Sequence, residues 1–545
     1  MSGATTTMSG GEAIVDALIR NGVDTAFGIP GVQLDPLFDA LYDAQNSLRV
    51  IHTRHEQGAG YMALGYAAAT GKVGTSIVVP GPGLLNASSA IATAYALNLP
   101  MLTVAGQIPS RLIGKGTGQL HELPDQLAIA KGLTKWAARM DAPADVPATM
   151  AEAFRQLNEG RKRPVEVEMA LDLLKEKGEV SPLDPPGAYE VLEPDPDEIE
   201  AAAKLLGAAE RPLIFAGGGA IDAGPELKLL STLLQAPVVM SRGAFGTVDS
   251  RDPFALTPPH GHELWGDADA VLAVGTRLVP MVPAWGLDDG LKIVRLDVDP
   301  EEMTRSSQPA VAVQADARLG LRALLDAVPA HNRKRQDRTG EMTDLKAAVQ
   351  RGIDKLDPQV PILNAIRRAL PEDGIFVEEL TQPGYVARFA FPVYRPRTFI
   401  HTGYQGTLGY ASPTAMGAKV GMPDRKVVAI SGDGGFMFNV QELASAVQHG
   451  IDIVLVVFND GAYGNVKRIQ QQMFEGKNIA VELRNPDLMK LADAFGIQGL
   501  RVRSPEELER AIGEGFATPG PTLIEYPIGE VPDPWHLIFQ GKVRG

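Results

Sequence analysis

The 545-residue sequence contains no cysteine. Disulfide bonds, thiolate metal sites and cysteine nucleophiles are therefore excluded. Basic residues are scarce relative to acidic ones: 51 Lys and Arg stand against 66 Asp and Glu, a net charge of −15. That balance argues against nucleic acid or an anionic membrane surface as partner, because both select for clustered basic side chains. It also requires any polyanionic cofactor to be held by local devices, such as backbone N–H groups or a metal ion. No apolar run is long enough to span a bilayer. The opening MSGATTTMSGG has neither the basic region nor the apolar stretch of an export signal. It reads as a frayed end ahead of a helix from about Gly11, and the cytoplasm is the expected location.

What is present is ordinary for a soluble globular protein, with 45% hydrophobic and 21% charged residues. The length exceeds what one hydrophobic core fills, so several domains are expected. Up to about residue 185, helical patterns alternate with strand-like runs at Asp24–Ile29, Thr75–Val79, Pro100–Gly106 and Pro164–Met169. Such alternation predicts a parallel sheet covered on both faces. Leu183–Asp197, LDPPGAYEVLEPDPD, reads as a linker rich in Pro and acid. A second unit follows with strands at Leu213–Ala216, Pro237–Met240, Ala270–Val274 and Lys292–Leu296. Ala330–Gly340, AHNRKRQDRTG, reads as a solvated charged break. A third unit carries strands at Ile375–Glu378, Val427–Ile430, Ile453–Phe458 and Thr522–Glu525. The expected fold is α/β: three doubly wound parallel-sheet domains, at 1–185, 190–330 and 355–545.

The most informative segment is 427–466. A strand runs into Ser431-Gly432-Asp433-Gly434-Gly435, a helix follows, and a second strand ends at Asn459-Asp460-Gly461. Two apolar strands joined by a helical crossover lie parallel and adjacent. Their carboxyl ends, where open α/β sheets bind ligands, then sit side by side. Asp433 and Asp460 become neighbours, and the flanking glycines let backbone N–H groups approach a phosphate. Two hard oxygen ligands plus diphosphate oxygens suit Mg²⁺. A lone GDG is weak and is more often a turn; the second loop after a strand–helix–strand gives it weight.

This segment resembles the thiamine diphosphate motif, a GDG followed at a set distance by Asn-Asn. The chain as a whole resembles the acetolactate synthase-like family of thiamine-diphosphate-dependent enzymes. The resemblance implies a pyrimidine-binding, a middle and a diphosphate-binding domain. It implies Asp433, Asp460 and the backbone carbonyl of Ala462 as Mg²⁺ ligands, with Asp460 where the family has Asn. Gly432, Gly434, Gly435, Tyr463 and Gly464 would surround the diphosphate. RHEQGAGYMALGYAAATGK, residues 54–72, looks like the helix whose glutamate, here Glu56, activates the cofactor. Taken alone, Glu56 would read as a helix N-terminal carboxylate favouring the macrodipole. In the family this glutamate reaches the diphosphate loops of a second subunit, so a homodimer or homotetramer is implied.

Further marks extend the likeness. Phe27-Gly28-Ile29-Pro30-Gly31 resembles the FGxPG loop, and VVPGPGLLNA at 78–87 a segment containing Gly83. Residues 105–122 resemble a stretch that places Gln107 near the reacting carbon. His121 there is a candidate proton relay, since a near-neutral pKa suits that task, although a lone histidine is more often structural. Glu379-Leu380-Thr381-Gln382 matches the loop before the diphosphate. HTGYQGTLGYASPTAMGA at 401–418 places Gly406 and Leu408 at the cofactor, Leu408 propping it into a bent shape.

Departures exist. Acetohydroxyacid synthases carry a GMVxQWQ run; here it reads Gly464-Asn465-Val466-Lys467-Arg468-Ile469-Gln470, with Ile469 in the Trp position. That puts branched-chain amino acid synthesis in doubt. The flavin-linked RFDDR run reads Thr276-Arg277-Leu278-Val279-Pro280, and Ala216-Gly217-Gly218-Gly219 lacks the GxGxxG spacing. FAD is possible but not favoured, and ADP or acyl-CoA is no better supported.

The expected reaction is decarboxylation of a 2-oxo acid and transfer of the acyl carbanion to a carbonyl acceptor, with a 2-oxo acid or 2-hydroxy ketone as substrate. The alternatives with the same cofactor are simple decarboxylation, 2-hydroxyacyl-CoA lysis and diketone hydrolysis. A non-catalytic homologue would have lost Glu56 or the GDG loop, and a protein using that loop for another diphosphate would not need the Glu56 segment. The tail Val531–Gly545, with Trp535 and Phe539, could close over the site or pack on the surface.

Overall fold

The computed structural model describes residues 4–279 and 281–545; Met1–Gly3 and Pro280, the last position of the 276–280 run, lie outside the described residues. Three six-stranded parallel sheets organise the chain. The first runs, edge to edge, Arg49–His52, Thr25–Gly28, Gly74–Val78, Met101–Gln107, Val165–Ala170 and Trp136–Met140. The second runs Ala255–Leu256, Val238–Met240, Pro212–Ala216, Ala270–Val274, Lys292–Asp297 and Val311–Gln314. The third runs Phe399–Ile400, Ile375–Glu378, Val427–Gly432, Val454–Asn459, Thr522–Pro527 and Gln498–Arg501. The central strands are buried on both faces, which is why those of the second and third sheets read as apolar runs rather than alternating ones; in the first sheet Val165–Ala170 buries Glu166 and Glu168 as well.

Two segments depart from the sequence expectation. The opening is not frayed from residue 6 onward: Thr6–Ser9 pairs antiparallel with Lys177–Val180, and the following helix, Gly10–Arg20, starts one residue early. Ser9 caps that helix, its hydroxyl accepting from the Glu12 amide while the Glu12 carboxylate accepts from Ser9 N–H. The 330–340 stretch is largely solvated, as expected, but two of its arginines anchor it to the middle domain. The Arg335 guanidinium donates to the carbonyls of Leu206, Gly207 and Ala209, answering the open end of helix Pro196–Ala208. Arg338 is buried, and helix Thr339–Ile353 follows, with Met342 in the middle-domain core.

The first and third domains are joined through helices without intervening side chains. Helix Glu56–Thr70 is rich in Gly and Ala and buried from Gly58 to Ala67. It crosses helix Ala411–Gly421 so closely that a Cβ on Gly65 would lie 2.0 Å from the Thr414 carbonyl oxygen, and one on Gly417 would lie 1.9 Å from that of Met62. One hydrophobic core continues through both domains, with Met62, Ala63, Ala415, Met416 and Val457 among its members.

Candidate active site

The third sheet has its topological switch between Ile375–Glu378 and Val427–Gly432. The chain leaves the first of these strands to one side and returns on the other. Loops diverge there and leave a crevice at the carboxyl ends. The cavity at that position, about 100 Å³, is lined by Glu379–Gln382, Leu408, Gly432–Gly435, Asp460 and Ala462–Val466, with Tyr385, Phe458 and Ile528 completing the wall. Thus Leu380, Thr381, Gln382, Leu408, Gly432, Asp433, Gly434, Gly435, Asp460, Ala462, Tyr463 and Gly464 come together on one surface.

Register explains the pairing of the two aspartates: Gly432 lies opposite Phe458, so Asp433 and Asp460 leave adjacent strands almost level. Asp433 is buried, and one of its oxygens accepts from Gly461 N–H at 3.0 Å and from the Asn485 amide. Asp460 accepts from Ala462 N–H at 3.1 Å. Burial, and then the facing charge of Asp433, push the Asp460 carboxyl up to about 6. Two acids held together in a partly dry crevice favour a cation between them. Among the described residues no group of three or more His, Asp or Glu is arranged to hold a metal ion by side chains alone. This donor set of two carboxylates plus a nearby backbone carbonyl suits an oxygen-seeking ion that keeps ligand phosphates as its other partners. The glycines leave the cradle open. Any side chain on Gly434 would meet the Tyr463 ring at 2.6 Å, and a Cβ on Gly435 would lie 1.9 Å from Glu379 Oε1.

Glu379 is the residue the motif reading undervalued. Its buried carboxylate accepts from Gly409 N–H at 3.2 Å and Ala411 N–H at 2.8 Å. That grip holds the 401–410 loop, where Gly406 and Gly409 take positive φ, and so fixes Leu408 over the cavity. Burial raises the Glu379 carboxyl to about 7 despite these donors. Asn485 was also missed: its amide bridges Asp433 and Asn459, the latter at 3.0 Å. Glu379 opens the Glu379–Gln382 loop noted in the sequence, whereas Asn485 belongs to no recognisable pattern, and each acts through a fold contact distant in sequence.

This crevice is matched by family models along most of the chain. Residues 381–526 match the C-terminal TPP binding domain of thiamine pyrophosphate enzymes, 8–129 the N-terminal TPP binding domain and 199–324 the central domain. The chain belongs to the thiamine pyrophosphate enzyme family. It is 36% identical over 538 residues to the probable 2-ketoarginine decarboxylase AruI of Pseudomonas aeruginosa, covering 95% of this chain and 94% of that protein. It is 34% identical to the acetolactate synthase large subunit of Corynebacterium glutamicum, covering 99% and 90% of the two chains. It is also 31% identical to the acetolactate synthase isozyme 2 large subunit of Escherichia coli K12, over 98% of each. Thiamine diphosphate is therefore the cofactor of this acetolactate synthase-like enzyme, and the residues of the crevice fit its diphosphate.

The remaining candidates sit on the first domain of this thiamine pyrophosphate enzyme, away from the cavity wall. Glu56 opens helix Glu56–Thr70, half-buried, and accepts from the Asn86 amide at 2.9 Å. A Cβ on Gly83 would lie 3.5 Å from its other oxygen. Pro30 and Gly31 follow strand Thr25–Gly28; Gly31 stands against Val79. Gln107 ends strand Met101–Gln107, buried, its amide 3.5 Å from both oxygens of Glu168. His121 takes a φ of 68°, with Nδ1 buried and without a partner, and its carbonyl is pressed against Gly81. Trp535 packs on Tyr385, a wall of the cavity, at 4.8 Å between ring centroids, while Phe539 stacks on Trp535 and remains exposed. In the middle domain, Gly217 and Gly219 meet Gly275 backbone to backbone, so those glycines serve loop contact. No helix among the described residues is long and apolar enough to cross a membrane.

Proposed function

We propose that this chain decarboxylates a 2-oxo acid and passes the acyl unit to a carbonyl acceptor, giving a 2-hydroxy ketone. The carboxylate–carbonyl bond breaks, carbon dioxide leaves, and the carbonyl carbon bonds to the acceptor or, in simple decarboxylation, takes up a proton to give an aldehyde. The single observation supporting this most is the Gly432–Gly435 cradle with Asp433 and Asp460 at the switch point of the third sheet. Thiamine diphosphate supplies the nucleophilic carbon and the electron sink for such bond changes. Asp433, Asp460 and the Ala462 carbonyl would hold Mg²⁺, and Gly432, Gly434, Gly435, Tyr463 and Gly464 would admit the diphosphate. Leu408, fixed by Glu379, would press the cofactor into its bent form, with Leu380, Thr381, Gln382 and Gly406 around it. The proposed domains are 1–185, 190–330 and 355–545, with helix Thr339–Ile353 packed through Met342 onto the middle one.

Glu56 would take the activating proton position, oriented by Asn86. It is absent from the cavity wall of its own chain, and Arg54 N–H, two residues before it, donates to Glu442 of the third domain. Glu56 therefore serves the cavity of a second copy, in a homodimer or homotetramer, together with Pro30, Gly31, Gly83, Gln107 and His121. The cytoplasm is the proposed location. Simple decarboxylation is the second reading. Ile469 in place of the Trp that shapes the acceptor pocket, and the likeness to AruI, favour it.

Calorimetric titration of metal-stripped protein with thiamine diphosphate plus Mg²⁺, paired with carbon dioxide release by wild type and Glu56→Gln, tests this reading. Mg²⁺-dependent binding in both, with release lost in the variant, is the expected result. Absence of binding in the wild type would overturn it.

A further inference from the structure

One buried amide ties together three neighbouring strands of the first sheet toward their carboxyl ends. Gln126 begins helix Gln126–Leu133 and is fully buried. Its Oε1 accepts from Gly81 N–H at 2.9 Å, in the turn after strand Gly74–Val78. Its Nε2 donates to the Gly106 carbonyl at 2.9 Å, on strand Met101–Gln107, and to Glu168 at 2.8 Å, on strand Val165–Ala170. Glu168 is itself fully buried, and its other oxygen accepts from Arg139 at 2.6 Å. A backbone donor faces one side of the Gln126 amide and two acceptors face the other, so a single orientation satisfies all three partners.

Gly81 is the point at which this grip reaches the candidate catalytic groups. It takes a φ of 61° and opens helix Pro82–Leu97, which has no side-chain cap of its own. The His121 carbonyl closes on it as well: a Cβ there would lie 2.4 Å from that oxygen. Both oxygens of Glu56 meet the first turns of that helix. The Asn86 amide donates to one at 2.9 Å, and a Cβ on Gly83 would lie 3.5 Å from the other. The start of the helix therefore sets where the Glu56 carboxylate stands, and Gln126 sets the start of the helix. An apolar side chain could fill the same volume, but only the hydrogen bonds fix a direction.

We propose that Gln126 is a positioning residue for cofactor activation: anchored on Glu168, it fixes the turn at Gly81 and, through Asn86, the carboxylate of Glu56. The proposal rests on the reading of Glu56 as the group that activates thiamine diphosphate, and it adds the residue that aims that group.

The experiment follows exchange of hydrogen for deuterium at the reactive thiazolium carbon of bound thiamine diphosphate, by quenched-flow NMR on the Mg²⁺-loaded enzyme, beside calorimetric cofactor affinity. The variants are Gln126→Met, which keeps the volume and removes all three bonds, Gln126→Asn, too short to span Gly81 and Glu168 together, Asn86→Ala and Glu56→Gln. Gln126→Met, or Gln126→Asn should the first not fold, slows exchange by about tenfold to a hundredfold, the scale of a displacement of about 1 Å, while cofactor affinity stays within about threefold of wild type. Asn86→Ala, at an exposed position, slows exchange to a similar extent. The double variant is no slower than the slower single one, because both act along one path. Unchanged exchange in the Gln126 variant, exchange lost only in step with cofactor affinity, or effects that multiply in full in the double variant overturn the proposal while Glu56→Gln stays slow. Exchange as fast in Glu56→Gln as in wild type overturns the Glu56 reading and the proposal together.

Discussion

Raising the pH should weaken the diphosphate domain through one residue, Glu379. Its carboxyl lies buried with a value of about 7 against an ordinary 4.5, burial being the main cause. The folded state therefore holds this proton more tightly than the unfolded chain does. The stability that comes with it is fully present below pH 4.5 and is lost as pH rises through 7. The difference of about 2.5 pH units corresponds to about 3 kcal/mol. For the cooperative unit that the first and third domains form through their shared core, that amounts to about 4 °C in melting temperature. Glu379→Gln keeps the shape and removes the titration. Scanning fluorimetry of the cofactor-free protein from pH 4.5 to 8, at one scan rate because large proteins unfold irreversibly, should show the wild-type advantage over the variant shrinking steadily with pH. Parallel melting curves across that range would refute the reasoning, because they would mean that Glu379 ionises in the fold as easily as in the unfolded chain.

Two other substitutions probe the same architecture. Gly435→Ala places a methyl group 1.9 Å from the Glu379 carboxylate, which is pinned by two amides, so it should cost about 1–3 kcal/mol of stability. Its calorimetric affinity for thiamine diphosphate should fall at least tenfold, and unchanged affinity would contradict the account of the cradle. Gly417→Ala drives a methyl group into the Met62 carbonyl at 1.9 Å. It should lower the melting temperature of the whole chain without altering Mg²⁺ dependence, and an unchanged melting temperature would show that the two helices can separate.

The three-layer repetition was legible because parallel strands buried on both faces appear as apolar runs between helices, Val427–Gly432 and Val454–Asn459 most clearly. The crevice loops were legible because Asp433 and Asp460 follow such strands directly. The Thr6–Ser9 strand was not legible: it is short, polar and mostly exposed, and exists through its pairing with 177–180. Arg335 sits in a run of charges that looks solvated, and its role appears only when the open carbonyls of a helix more than a hundred residues earlier come beside it. Asn485, and the grip of Glu379 on the Gly409 and Ala411 amides, were hidden for the same reason, since each answers groups far off in sequence.

The glycine-mediated crossing of helices Glu56–Thr70 and Ala411–Gly421 has a consequence for motion. Where backbone touches backbone there is no side chain to change rotamer and no sliding layer, so the first and third domains cannot act as a hinge. The helix that begins at Glu56 is thereby a stiff spoke set into the same body as its own diphosphate cradle. Admission of substrate and release of product must then fall to lighter parts. The 471–480 stretch, exposed throughout and with Met473, Phe474 and Ile479 turned to solvent, can move at little energetic expense. Slow steps in turnover should accordingly respond to changes in that segment and not to changes in the domain junction.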